Sequence, residues 1–203
     1  MFWQEFYADW GGFLYYNSSF AQLPWWGHTA YTTPNKPVFV IFGYGWFFAG
    51  SFPALLVLIR KLREARPTWP RWLGVALVAG PPFFTWNLVT ADGAAYLGHW
   101  WNSVKTYGPA LHTLRGRLAF LFPAIPFALY ATITLGIVSA VDERGQRPFE
   151  RVARLVPSGH GWRHEAGRAA VWAVTMNLCY GLLFTLPMVL IRILLLGDSR
   201  IVS

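Results

Sequence analysis

PVFVIFGYGWFFAGSFPALLVLI, residues 37–59, is a run of 23 residues without a charged side chain. As an α-helix it would be about 34 Å long, enough to cross a bilayer's hydrocarbon core of roughly 30 Å. The run is preceded by Lys36 and followed at once by Arg60-Lys61-Leu62-Arg63. A basic cluster directly after an apolar run is typical of the cytoplasmic side of a membrane. The stretch therefore predicts a transmembrane helix that enters from outside and ends inside.

The composition of the chain also favours a membrane protein. Of the 203 residues, 55% are hydrophobic and 13% are charged, and the mean hydropathy is +0.34, which disfavours a soluble globular domain. The net charge of +8 could suggest nucleic acid. The basic residues flank apolar runs instead of forming a recognisable binding motif, so we expect no nucleic-acid partner. The single cysteine, Cys179, excludes a disulfide within the chain and disfavours a cysteine metal site.

Three further apolar runs follow the first. The predicted spans are residues 37–59, 72–90, 118–140 and 169–196. The loops between them on the inner side, residues 60–71 and 141–168, hold 11 of the 17 Lys and Arg residues, as the positive-inside rule requires. We therefore predict an all-α, integral membrane helical bundle. It forms one domain over residues 1–203, with both termini outside and residues 1–36 as an aromatic interfacial segment on the outer side.

Three features interrupt these spans. Pro81-Pro82 predicts a kink or a break in the second span, because proline removes a backbone donor. Asn177 lies at membrane depth and is expected to face the bundle interior, either in a helix–helix hydrogen bond or in a substrate contact. Arg192 lies about one turn from the end of the last span, so its side chain is expected to extend outward to the interface.

Acidic and histidine side chains are concentrated on the predicted outer side. Glu5 and Asp9 are four residues apart and would share one face of a helix, in ordinary interfacial solvation or in catalysis. Asp92 follows the proline-containing span. It is either a turn residue or a general acid, and it is the residue that the sequence favours most for catalysis. His99 and His112 are interface residues or catalytic partners. Asp92, His99 and His112 lack the spacing of a metal site, and we predict neither a metal nor a cofactor.

The order of these features resembles the AveC-like spirocyclase family of bacterial membrane proteins. The residues that carry the resemblance are Gln4-Glu5, Tyr16-Asn17, the run from Pro37 to Arg60-Lys61, Glu143-Arg144-Gly145 and Glu150-Arg151. These short matches are spread over nearly the whole chain. Family members are longer, so the chain is similar to the C-terminal two-thirds of such a protein, which would account for an outer N-terminus.

Two positions depart from the family pattern. Members often have Glu before the proline that opens the span at residue 37, where this chain has Lys36. They often carry an acid, three residues and then Glu in the following span. The matching region here, residues 87–92, begins with Asn87 and holds one displaced acid, Asp92.

The resemblance implies a membrane-embedded cyclase that forms a spiroketal from a polyketide-like dihydroxy-ketone, with dehydratase activity as a related option. Such a reaction needs a proton for the departing oxygen, a base for the attacking hydroxyl and an apolar pocket that excludes water. Paired carboxylates, or a carboxylate with histidine, can supply this chemistry without a cofactor. The candidate substrate contacts are aromatic and amide side chains: Tyr16, Asn17, Trp86, Asn87, Trp100 and Asn177. Trp100 is alternatively an anchor at the membrane interface.

Other classes of function stay open. The missing family carboxylates favour a non-catalytic membrane subunit, or a protein that binds a lipid or another apolar ligand. A transporter is disfavoured because the spans show no inverted repeat. The expected partners are an apolar small molecule and membrane lipid, with a homo-oligomer or a second chain supplying further helices. The expected location is the bacterial cytoplasmic membrane.

Overall fold

A computed structural model describes residues 1–24, 32–89, 124–155 and 159–198, together with the backbone of 101–103, 110–112 and 117–119. The chain is mostly helical, as predicted. The helices are α1 (Glu5–Gly11), α2 (Phe39–Ala65), α3 (Arg71–Leu88), α4 (Ala124–Val138), α5 (Pro148–Val152), α6 (Trp162–Tyr180) and α7 (Leu186–Ile191). A 3₁₀ turn, Phe2–Gln4, precedes α1, and π-helical turns follow α6 (Gly181–Thr185) and α7 (Arg192–Leu196).

Within the residues that the structure describes, two helical units are long and apolar enough to cross a membrane. They are Phe39–Ala65, of 27 residues, and the continuous unit Trp162–Leu196, of 35 residues. Only 17% and 33% of their most apolar windows are buried inside the protein. Large apolar side chains instead point outward, among them Phe42, Trp46 and Leu194, each more than 70% exposed. Such outward apolar surface suits lipid and would be costly in water.

The helix bounds differ from the predicted spans. α2 continues past residue 59 to Ala65 because the basic cluster and the residues after it are good helix formers. The sequence predicted a kink or a break at Pro81-Pro82, yet α3 runs uninterrupted from Arg71 to Leu88. α3 packs along α4, and this tertiary packing stabilises a helix that has lost two backbone donors.

Short antiparallel strand pairs, which the sequence did not predict, add a small β component. β1 (Leu14–Tyr16) pairs with β2 (Trp101–Ser103), and β3 (Ala110–His112) pairs with β4 (Arg117–Ala119). The prediction that residue 118 is already helical is wrong, since it lies in β4, and α4 begins at Ala124. Antiparallel pairing with β3, a few residues earlier in the chain, overrides the local apolar pattern there.

The centre of the bundle is an aromatic cluster shared by α2, α3, α4 and the last helical unit. Ring centroids lie 5.3 Å apart for Phe83 and Phe127, 5.3 Å for Phe127 and Phe184, and 5.2 Å for Tyr130 and Tyr180. These rings meet mainly edge to face or tilted, which is the favoured arrangement for aromatic pairs. The cluster fixes the relative positions of the helices around it.

The N-terminal helix α1 is buried against α7 by a close backbone approach. A Cβ atom on Gly11 would lie 2.7 Å from the carbonyl carbon of Met188, so only glycine fits this contact.

The expectation that Arg192 extends outward is wrong. Its side chain is buried, its guanidinium lies 3.7 Å from the ring centroid of Trp10 and 4.0 Å from that of Phe13, and it donates to the Trp10 carbonyl. Aromatic faces and a carbonyl thus replace water around this cation.

Candidate acid–base site

The candidate site is a buried polar cluster formed by Glu5, Asp9, Tyr16 and Lys36. Glu5 and Asp9 lie one turn apart on α1, so both carboxylates reach the same side of the helix. Tyr16 ends β1, and Lys36 lies in the segment before α2. The sequence pattern placed the two acids on one face, and the fold brings a lysine and a tyrosine to that face.

Hydrogen bonds to the backbone hold Lys36 in place. The Asn35 side chain bonds in both directions with the backbone of Tyr16, accepting at 2.8 Å and donating at 2.6 Å. Thr33 donates its hydroxyl to the Leu14 carbonyl at 2.7 Å and its backbone N–H to the Phe6 carbonyl at 3.0 Å. The segment before α2 is therefore fastened to both β1 and α1, which directs the Lys36 side chain between the acids.

The Lys36 ammonium is the centre of the cluster. Its Nζ donates to Asp9 Oδ2, lies 3.0 Å from Glu5 Oε2 and donates to the Tyr16 hydroxyl at 3.3 Å. The Tyr16 hydroxyl lies 3.4 Å from Glu5 Oε1 as a donor. The side chains are 0% exposed for Lys36, 12% for Glu5 and 7% for Asp9. The Phe6 and Tyr16 rings lie 5.4 and 4.7 Å from Nζ and cover the cation.

Burial changes the proton affinity of the acids. Desolvation raises the pKa of Glu5 from 4.5 to about 7, against the opposing effect of Lys36, and the nearby Asp9 carboxylate raises it further. Desolvation also raises the pKa of Asp9, again opposed by Lys36. Burial and the two carboxylates raise the pKa of Tyr16 well above 10. A carboxyl group that titrates near neutral pH can both give and take a proton.

A pair of hydrogen-bonded tyrosine hydroxyls lies next to this cluster, between it and the apolar interior of the bundle. Tyr44 on α2 and Tyr180 on α6 share a hydrogen bond between their hydroxyl oxygens. Both interact electrostatically with Glu5 and Asp9. Their rings pack into the aromatic cluster, with Tyr44 and Tyr180 centroids 6.0 Å apart. The polar cluster therefore borders the apolar interior through phenolic hydroxyls.

The structure does not test the roles of the other predicted catalytic residues, Asp92, His99 and His112. Asp92 and His99 lie outside the described residues, as does Trp100 among the predicted substrate contacts. For His112 the structure describes only the backbone, in β3. Their predicted roles stay predictions.

The predicted amide and tryptophan contacts lie in different places. Asn177 on α6 accepts from Trp3 Nε1 at 3.1 Å and from Gln4 Nε2 at 3.2 Å, so it ties the N-terminal segment to the last helical unit. Asn17 accepts from the Ser19 N–H at 2.9 Å in a turn after β1. Trp86 and Asn87 lie in the last turn of α3, where the Trp86 ring is 5.1 Å from Phe47.

Lys36 is the site residue that sequence reasoning missed. The sequence placed it at the outer end of the first span and as a departure from the family pattern. The available signal was a single cation between two prolines, Pro34 and Pro37, after a segment with two acids four residues apart. That signal identifies a charge in need of a partner, but not which partner the fold supplies.

The motif residues on the predicted inner side have structural roles. Asp142 accepts from the N–H groups of Arg144 and Gln146, both at 2.9 Å, and the turn closes through Gly145 at φ +76°. Glu150 is buried and accepts from the Arg147 N–H at 2.9 Å and from Trp172 Nε1 at 3.1 Å. Burial alone would raise the pKa of Glu150, but these bonds and the guanidinium groups of Arg147 and Arg168 lower it overall.

Among the described residues, no three His, Cys, Asp or Glu side chains are grouped so that they could hold a metal ion. The absence of metal and cofactor stays a prediction. Comparisons with protein-family models, with curated proteins and with solved structures give no match for this chain.

Proposed function

We propose that the protein is an integral membrane bundle of four spans in a bacterial cytoplasmic membrane, with both termini outside. The supporting observations are two helical units long and apolar enough to span, with α3 and α4 packed together beside them. The distribution of Lys and Arg supports this orientation. In this arrangement α1, β1 and Lys36 lie on the outer side, and α5 lies on the inner side.

Within this framework the protein acts as an acid–base enzyme. The observation that carries the proposal is the buried cluster of Glu5, Asp9, Lys36 and Tyr16, in which the pKa of Glu5 is raised to about 7. Perturbed carboxyl groups in low-dielectric surroundings are characteristic of catalytic acids. Glu5 is the proton donor in this proposal. The proposal thereby moves the role of general acid from Asp92, where the sequence placed it, to Glu5, and Asp92, His99 and His112 become the candidates for the partner base.

The resemblance to AveC-like spirocyclases supplies the reaction class. Glu5 would deliver a proton to the hemiketal hydroxyl of a polyketide-like dihydroxy-ketone, so that the hydroxyl leaves as water. The second hydroxyl of the substrate then attacks the oxocarbenium carbon and gives up its proton to the base, which closes the spiroketal. The aromatic residues around Tyr44 and Tyr180 suit an apolar chain and exclude water that would compete as nucleophile.

Product analysis tests this function. Membranes containing the protein are given a dihydroxy-ketone, and the spiroketal stereoisomers are separated. We expect one stereoisomer from the parent protein, and a rate about 10²–10⁴-fold lower for Glu5→Gln, the range typical of a lost general acid. Glu64→Gln, at an exposed position near the inner end of α2, is the matched control and should keep the parental rate. A parental rate for a folded, inserted Glu5→Gln protein would refute the role of Glu5.

A non-catalytic membrane subunit is the second candidate, and one observation favours it. The Lys36 side chain is fully enclosed and contacts both carboxylates, an arrangement that also serves to fasten the N-terminal segment onto the bundle. Under this alternative no single stereoisomer forms with the parent protein. Glu5→Gln then changes the stability of the protein in detergent without any effect on product.

A further inference from the structure

The charges of the cluster do not balance when every group is ionised. Glu5 and Asp9 contribute two negative charges, and Lys36 contributes one positive charge. The other titratable side chains that interact with Glu5 within the described residues are Tyr16 on β1, Tyr44 on α2 and Tyr180 on α6. None of these phenols adds a positive charge. A single proton on one of the carboxylates makes the buried cluster neutral, and buried net charge is strongly disfavoured.

The contacts of Lys36 distinguish the two carboxylates. Its Nζ donates a hydrogen bond to Asp9 Oδ2. Glu5 Oε2 lies 3.0 Å from the same nitrogen, but it is buried and has no hydrogen-bond partner in good geometry among the described residues. The hydrogen bond from Lys36 stabilises the ionised form of Asp9, so the proton favours Glu5, whose contact with the ammonium lies outside hydrogen-bond geometry.

We propose that Lys36 is the positioning residue of this site: by taking Asp9 as its carboxylate partner, it leaves Glu5 as the carboxyl group that carries the single proton. The inference rests on the proposed acid–base function and deepens it, since it explains why the proton donor, Glu5, is protonated before the reaction. Lys36 contacts no substrate atom in this account and acts through the two acids.

Infrared difference spectroscopy of the protein in lipid nanodiscs, without substrate, tests the inference. The carbonyl stretch of a protonated carboxyl group is followed as the pH changes. We expect one buried band in the parent protein, with a midpoint at about pH 7. The band should be absent in Glu5→Gln. A band that survives Glu5→Gln and disappears in Asp9→Asn would overturn the assignment.

The position of the midpoint tests the role of Lys36, because a merely structural lysine would not shift it. Lys36→Met removes the cation that favours ionised carboxylates, so the Glu5 midpoint should rise by about 1–3 pH units. Lys36→Arg keeps a cation and should hold the midpoint within about one unit of the parent value. In Asp9→Asn, Lys36 has Glu5 as its remaining carboxylate partner, and the midpoint should fall by about 1–3 units.

If Lys36→Met does not fold, the predicted fall of the Glu5 midpoint in Asp9→Asn tests the role of Lys36 by itself. A midpoint that stays at the parent value in every folded variant would overturn the inference. The two proposals also fail separately. The expected titration without any cyclisation would refute the proposed function only, whereas a band belonging to Asp9, with turnover still lost in Glu5→Gln, would refute the inference only.

Discussion

Lys36 shows how one residue can be both costly and stabilising. A lysine with no exposed side-chain surface is among the rarest of buried groups, and it is tolerated here because two carboxylates, a hydroxyl and two aromatic rings replace its water shell. Removal of this cation destabilises the fold because it leaves two buried acids without a positively charged partner. The residue is therefore more important to the fold than the exposed basic residues near the C-terminal end of α2.

Replacement of Lys36 should destabilise the protein strongly. We expect Lys36→Met to lower the free energy of unfolding by about 3–5 kcal/mol, the usual cost of breaking a buried ion pair. Denaturant unfolding in detergent micelles at pH 7 measures the change. Lys61→Met, at an exposed position on α2, is the control and should change the free energy by no more than about 0.5 kcal/mol. Equal effects of the two substitutions would contradict the described burial of Lys36.

The raised pKa of Glu5 predicts a pH dependence of stability. The folded protein holds the Glu5 proton more tightly than the unfolded chain does, so this contribution is fully present below pH 4.5 and is lost as the pH rises to about 7. The change is on the order of 3 kcal/mol, from 1.36 kcal/mol per pKa unit. Unfolding measured at several pH values should therefore show a steeper decline for the parent protein than for Glu5→Gln. Parallel curves would show that Glu5 is not perturbed.

Glu150 should behave in the opposite sense. Its pKa is lowered, so its carboxylate stabilises the folded protein above the ordinary pKa of glutamate, and this contribution is lost as the pH falls through the lowered value. Glu150→Gln should destabilise the protein at pH 7 and have little effect in strong acid. The same unfolding series provides the measurement. A loss of stability that is the same at both pH values would point to packing instead of charge.

At the level of elements, the sequence predicts what is local. The apolar length of residues 37–59 indicated α2, and the spacing of Glu5 and Asp9 indicated a shared helix face. The sequence did not predict β1 paired with β2, the uninterrupted α3 or the inward turn of Arg192, since each depends on a partner distant in sequence. The site follows the same division: its two acids could be predicted, but the cation between them could not.

The contact between α1 and α7 gives a test at this level. Gly11→Ala places a Cβ atom 2.7 Å from a Met188 backbone carbon, and backbone cannot rotate away as a side chain can. We expect a loss of about 1–3 kcal/mol, the usual cost of overpacking, measured by unfolding in detergent. Gly50→Ala on α2 has open space within 4 Å and is the matched control, expected to leave stability unchanged or slightly increased. A stable Gly11→Ala protein would contradict the close packing of the two helices.

The whole molecule places its polar groups inside or at the ends and its apolar side chains on the outer surface of two long helical units. The acid cluster joins the N-terminal segment to the start of α2, and Glu150 with its arginine partners joins α5 to α6. These two polar clusters lie near opposite ends of α2 and the last helical unit in the proposed topology. The orientation of the chain therefore decides which cluster faces the outside of the cell.

Thiol labelling in intact cells tests that orientation. The background is Cys179→Ala, which removes the single native cysteine, a buried residue of α6. Cysteines are then introduced one at a time at Ser19, exposed after β1, and at Glu143, exposed in the turn before α5. The proposed topology places Ser19 outside and Glu143 inside, because the basic loops resist translocation. A membrane-impermeant maleimide should therefore label the Ser19→Cys protein in intact cells, and the Glu143→Cys protein only after the membrane is permeabilised. The reverse pattern would invert the orientation and place the Glu5 cluster on the cytoplasmic side. Labelling of both positions in intact cells would contradict an odd number of spans between them.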